Sequence, residues 1–309
     1  MTEIIIAIVQ ALLLMLLAPL VSGTARWMRA KMHTRRGPSI LQDYYDIAKL
    51  LKRQDVRTQH SSFVFRLMPP LYMGVLLILA CGMPMITRAC PIPVLGDVIT
   101  IIYLLALPRF FFALAAVDSS DAYSGVGGIR ELIVGVLVEP SMMLALFVAA
   151  LATGTTNIGA MGEAIGSLSV TSPVAVVVAA AAFALACYVE LGKLPYDVAE
   201  AEQELQEGPL AEYSGPSLAM AKASLSMKQV IVVSWFIAVF LPFGSATELT
   251  IPALALGALV FVVKVAAIFF VCSIVENLVS RVRWKYMSRQ TWTIVGVSVL
   301  ALVFCVLGI

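Results

Sequence analysis

Eight apolar runs punctuate this chain, at roughly residues 3–24, 69–88, 98–117, 131–153, 173–192, 228–246, 251–275 and 291–308. Each is close to the ~20 residues that a helix needs to cross a bilayer. The pattern predicts an all-α polytopic membrane protein with eight transmembrane helices. No linker or internal repeat divides the chain, so residues 1–309 read as one membrane domain. Two connections are long and polar, 25–68 and 190–227. In the first, Ile40, Leu41, Tyr44, Ile47, Ala48, Leu50 and Leu51 recur at helical spacing, with Asp43, Asp46, Lys49, Lys52 and Arg53 between them. That periodicity predicts an amphipathic helix lying at the membrane interface. In the second, Asp197, Glu200, Glu204 and Glu207 fall at i, i+3, i+7 and i+10. A helix there would stack all four carboxylates on one face.

Composition agrees with the hydropathy pattern. The chain is 61% hydrophobic and 13% charged, where a soluble domain runs near about 45–50% apolar and about 25% charged. Five cysteines show no C-x-x-C spacing, which argues against a disulfide framework or an iron–sulfur site. Only His33 and His60 are present, both in a basic loop, so a haem held by paired histidines inside the bilayer is excluded. The first apolar run reads as a retained span rather than a removed signal.

Charge adds orientation. Eighteen of the 21 Lys and Arg residues fall in the connections after spans one, three, five and seven, with Lys228 at the edge of span six counted among them, and only Arg88 lies on the opposite side. The positive-inside rule places those loops in the cytoplasm and both termini outside. On that face a basic loop (25–68) meets an acidic one (190–227), so Arg35 and Arg36 are candidate partners for part of the carboxylate stripe. The basic residues suit either anionic lipid headgroups or a docking partner.

A few ionisable residues stand inside the apolar runs. Each costs roughly 2.5–3.5 kcal/mol at a helix centre, so each is a functional candidate. Arg109 follows Pro108, Glu139 precedes Pro140, and Lys264 sits mid-span. Glu131, Glu190 and Glu276 lie nearer the cytoplasmic ends. Arg109, Lys264, Glu131, Glu139 and Glu190 are candidates for a proton path, or for static ion pairs that fix helix packing. A desolvated carboxylate can titrate, which favours the proton path for Glu139 and Glu190. Glu276 reads as an interfacial cap or a partner of Arg281 and Arg283.

Two ordered signatures now carry a resemblance. Arg36-Gly37-Pro38, then Leu41-Gln42, Asp46 and Lys49-Leu50, resembles the first cytoplasmic loop of the heel membrane subunit of respiratory complex I. Pro195-Tyr196-Asp197, Glu200-Ala201-Glu202, Glu204-Leu205, Gly208 and Glu212-Tyr213-Ser214-Gly215 resemble that family's acidic loop, with Tyr196 where Phe is the more frequent residue. The compact first loop and EAEQELQEGPLAEYSG are most similar to the membrane-bound [NiFe] hydrogenases of group 4, of the formate hydrogenlyase and hydrogenase 4 type. The resemblance implies a docking subunit in a bacterial inner membrane. Its basic loop (Arg35, Arg36, Gly37, Pro38, Gln42, Asp46, Lys49) and acidic loop (Asp197, Glu200, Glu202, Glu204, Glu207, Glu212, Tyr213) would hold a soluble arm. The partners implied are the large and small hydrogenase subunits, iron–sulfur subunits and antiporter-like membrane subunits, with membrane lipid and no nucleic acid. No cofactor is expected in this chain; the nickel–iron centre and iron–sulfur clusters belong to the partners. A rival expectation is the quinone-binding heel subunit of a complex I-type NADH dehydrogenase, with a lipophilic cleft near Arg36, Phe63 and Phe65. A stand-alone transporter fits poorly, because no inverted repeat is visible.

Overall fold

The computed structural model describes residues 2–309, apart from the side chains of Thr2 and Glu202, so the expectation for the Glu202 carboxylate lies outside the described residues. In chain order the helices are α1 (Thr2–Met32), α2 (Gln42–Leu51), α3 (Phe63–Gly82), α4 (Val98–Asp118), α5 (Ala122–Thr153), α6 (Ile158–Gly166), α7 (Pro173–Glu190), α8 (Glu202–Leu205), α9 (Gly215–Phe240), α10 (Ile251–Leu278) and α11 (Trp284–Val306). Eight of them, all except α2, α6 and α8, are long and apolar enough to cross a membrane. The chain is an all-α polytopic membrane protein.

The span boundaries differ from the hydropathy pattern in one consistent way. The four spans that leave the face of the two long loops all start early. They begin at Phe63, Ala122, Gly215 and Trp284 rather than near 69, 131, 228 and 291. At the same face α1 runs on to Met32. The helices outlast their apolar stretches and form a polar collar, which hydropathy alone cannot detect. The two long connections shrink accordingly, to 33–62 and 191–214. The shift is largest for α9, the most enclosed span. Its first four turns face protein instead of lipid, so Ser224 and Lys228 need not be apolar. Phe183 of α7 packs edge-on against Trp235 of α9, with ring centroids 5.2 Å apart.

Short polar side chains start the helices. Asp97 accepts from the Ile99 and Thr100 amides, Asp121 from Ser124, and Asn157 from Gly159 and Ala160. Each supplies an acceptor to an otherwise orphan N–H. On the face away from the long loops, α3 and α9 stop early. The following segments pair there, with Arg88 N donating to Ala246 O and Ala246 N to Ile86 O, both at 2.9 Å. The carbonyls freed at the end of α9 are met by Lys264 of α10, whose Nζ donates to Leu241 O and Phe243 O. This mid-span lysine does not face Arg109; it caps a helix end.

Gln10 performs the same service for α3. It is buried inside α1, and its amide donates to Ala80 O and Met83 O at 2.9 Å each. Gln10→Leu keeps the volume but strands those carbonyls in an apolar setting. We expect it to lower stability by about 1–2 kcal/mol. Thermal unfolding in detergent measures this, and an unchanged midpoint would contradict the role.

Candidate functional site

Arg109 lies in the middle of α4, buried, and three carboxylates converge on it. Its guanidinium pairs with Glu139 of α5 and Glu190 of α7, and its Nε lies 3.7 Å from Glu131 of α5. Lys228 of α9 completes the group, 2.9 Å from Glu190 and 3.2 Å from Glu131. Four helices thus each contribute charge to one cluster. Space for the guanidinium comes from Gly135 on α5. A Cβ there would lie 2.8 Å from Arg109 Cδ and closer still to the guanidinium nitrogen. Glu139 differs from its companions. Its side chain keeps 30% of its surface exposed, while that of Glu190 keeps 3%.

The sequence pattern brought Arg109, Glu131, Glu139 and Glu190 forward, and the structure gathers them. It leaves Lys264 apart from them. It adds Lys228, which loop counting had set among the cytoplasmic cations. The missed signal was the apolar run that starts directly after Lys228-Gln229 in a helix already under way.

The acidic loop above the cluster does not form the expected helix. Among residues 191–214 only the single turn α8 and a 3-10 turn at Gly208–Leu210 are helical. Ala201, Gln206, Glu207 and Gly208 all have positive φ, which breaks any continuous register. Four like charges on one face would repel. Instead the acids part toward different cations. Asp197 pairs with Arg281 at 2.6 Å, Glu204 with Arg130 at 2.8 Å, and Glu207 with Lys222 at 3.4 Å. Glu212 has no cation partner among the described residues.

The two long loops do touch, though not through Arg35 and Arg36, which are exposed and make no ion pair among the described residues. Ser214 Oγ donates to Val56 O at 2.7 Å, and Ser217 Oγ donates to Asp55 at 3.1 Å. The Tyr213 ring stacks on Phe65 with centroids 4.0 Å apart, and its hydroxyl donates to Phe65 O at 2.9 Å. Burial pushes that phenol well up, so it remains a donor. Gly37 lets the chain double back against Trp27 and Ala30 of α1, and Pro38 follows on the surface. Within α2, Gln42 donates to Asp46 at 3.0 Å, and buried Asp43 pairs with Arg26 at 2.9 Å. Glu276 takes Arg29 at 3.2 Å and Lys193 at 3.5 Å, rather than Arg281 and Arg283.

Two spaces link these layers. A cleft of about 610 Å³ opens between α1, α2, α9, α10 and the acidic loop. Six cations and six carboxylates line it, Asp46, Lys49, Asp197 and Glu200 among them. Beneath it lies a small pocket of about 50 Å³, reaching Glu131, Glu190 and Lys228. Asp197, Glu200, Gln229, Gly192 and Leu225 belong to both walls. The pocket has room for a few waters. Glu200 opens to the cleft, yet the protein around it thins its hydration. That desolvation, then the carboxylates of Asp197, Glu131 and Glu207, push it up to about 7.

Residues 4–307 match the NADH dehydrogenase family. The chain is 47% identical to hydrogenase-4 component C of Escherichia coli (strain K12), over 99% of this chain and 97% of that one. It is 43% identical to formate hydrogenlyase subunit 4 of the same organism, over 96% of each. Its fold is similar to a chain of the membrane-bound sulfane sulfur reductase, an archaeal respiratory membrane complex. That likeness has a TM-score of 0.82 at 22% identity and covers 98% of this chain and 99% of the other. With the match spanning nearly every residue, the chain belongs to the NADH dehydrogenase family of membrane proteins, in the branch that holds hydrogenase-4 component C and formate hydrogenlyase subunit 4.

Proposed function

We propose that the chain is the membrane-anchoring subunit of a hydrogenase-4 or formate hydrogenlyase-type complex, and that it couples electron transfer in a docked [NiFe] hydrogenase arm to proton movement. The long-loop face is cytoplasmic in this reading, by the excess of Lys and Arg on it. The docked arm supplies the nickel–iron centre and the iron–sulfur clusters. Antiporter-like membrane subunits continue the path beyond Glu139.

The observation that carries the coupling is a charge imbalance. Three carboxylates (Glu131, Glu139, Glu190) share two cations (Arg109, Lys228). Within a low-dielectric interior an uncompensated charge is costly. One added proton brings the cluster to neutrality. The small pocket leads from that cluster to Glu200, and Glu200 leads to the open cleft. A proton therefore has a route of titratable groups and room for water from the docking face to mid-membrane.

The family match favours a second reading, the quinone-binding heel subunit of a complex I-type NADH dehydrogenase. The cleft opens between α1, α2 and the acidic loop, but none of Arg36, Phe63 and Phe65, beside which a quinone cleft was expected, lines it. Its twelve charged residues weigh against it, since a lipophilic quinone gains little from such a lining.

Glu139→Gln keeps the shape and removes the excess charge. The complex should assemble, with proton translocation per hydrogen evolved falling about tenfold, an effect of roughly 1.4 kcal/mol on the transfer step. Loss of assembly would make Glu139 structural, and unchanged coupling would remove it from the path. Glu200 tests the entry. Its folded pKa is raised, so its contribution to stability is full below the unfolded value near 4.5 and is lost as pH rises through about 7. Thermal midpoints across that window should fall for the native protein, while Glu200→Gln removes this part of the slope. Quinone analogues should leave hydrogen output unaffected, and inhibition at the cleft would favour the second reading.

A further inference from the structure

The start of α11, from Arg283 through its first two turns, forms a surface that the proposed function leaves unused. After Glu276 the chain contains no carboxylate, yet it contains Arg281, Arg283, Lys285 and Arg289. Arg281 is taken by Asp197. Arg283, Lys285 and Arg289 are exposed and have no carboxylate partner among the described residues. Lys285 and Arg289 stand at i and i+4 on α11, with Cβ atoms roughly 5–6 Å apart. Arg283 is the residue from which α11 starts, and its side chain does not cap the helix. Tyr286 and Trp292 are also exposed, at 48% and 65%. Three unpaired cations at one helix start repel one another, and they oppose the positive end of the helix dipole.

Depth identifies the compensating charge. The apolar run of α11 begins near residue 291, within about two turns of these cations, which sets them at the level of lipid headgroups. Of the eight spans α11 is the least enclosed by the rest of the chain. Below the cations its surface is apolar, with Val299, Leu300, Val303 and Val306 exposed. Charge, depth and apolar flank together fit an amphiphile with an anionic head.

We propose that Arg283, Lys285 and Arg289 form a binding site for an anionic phospholipid. The phosphate is held by the Lys285–Arg289 pair with Arg283 beside it. Tyr286 and Trp292 flank the headgroup and the glycerol level. The site adjoins the acidic loop. Val282 N donates to Pro195 O at 3.0 Å, next to the Arg281–Asp197 pair. Lipid held at this turn therefore steadies the segment that carries Asp197.

The test isolates the protein from membranes in mild detergent, with the subunits that stay bound, and reconstitutes it in phosphatidylcholine nanodiscs doped with phosphatidylglycerol. Retained phosphatidylglycerol is counted by mass spectrometry. Lys285→Gln with Arg289→Gln should reduce retention about tenfold or more, given about 1 kcal/mol for each cation near a membrane surface. Lys52→Gln with Arg53→Gln removes equal charge from the exposed end of α2 and should leave retention nearly intact. Equal loss in both pairs would reduce the effect to the general field of a basic face and overturn the site. Unchanged retention in the first pair would overturn it too, as would displacement by millimolar inorganic phosphate. Should the first pair fail to assemble, Arg283→Gln alone carries the test and should lower retention by several-fold.

Discussion

An arginine in the middle of a membrane cannot shed its charge, and much of this molecule is arranged around that fact. A buried lysine or carboxylate can become neutral; a guanidinium does not. Arg109 must therefore be met by anions, and the anions must come from neighbouring helices. Glu139 and Glu131 on α5 and Glu190 on α7 answer it, and Lys228 on α9 partly balances them. Removing either cation of this group would leave its carboxylates further from balance, at a cost of about 3–5 kcal/mol. The cluster thus fixes how four spans stand against each other in an environment where apolar surface gives helices little reason to choose neighbours.

The same rule shapes the long-loop face under weaker terms. There water competes and single ion pairs contribute little. The acidic loop is held by many modest ties spread along its length: Tyr213 on Phe65, Ser214 on Val56, Asp197 on Arg281, Glu204 on Arg130. A loop fastened at so many points keeps a defined shape without a helix. It can place Glu200 between the open cleft and the small pocket while Asp197, Glu204 and Glu207 stay paired with cations.

Much of this was legible in the chain. Hydropathy located eight spans because lipid-facing residues must be apolar, and intramembrane charge pointed to Arg109, Glu131, Glu139 and Glu190. Two things were not legible, for separate reasons. Spans facing protein tolerate polar residues, so the early start of α9 and the place of Lys228 inside it were hidden. The acidic loop had a helical spacing by residue count, but Gly192, Gly208 and three non-glycine residues adopt positive φ, and cations distributed on α5, α9 and the α10–α11 turn drew the acids apart. Periodicity reports what a helix would do, and it is silent on partners distant in sequence. The resemblance to the group 4 hydrogenases rested on the order of residues in the loops, and it survived the change in the loop's expected conformation.

Gly135 has a consequence that reaches beyond this chain. Its missing side chain is the room in which the guanidinium sits. A side chain at 135 therefore requires the guanidinium of Arg109 to shift from its present seat. A homologue with alanine or anything larger at the glycine position would have to seat its arginine differently, and one without the arginine would be released from needing glycine. The two positions are thus tied by space as the four charged helices are tied by charge.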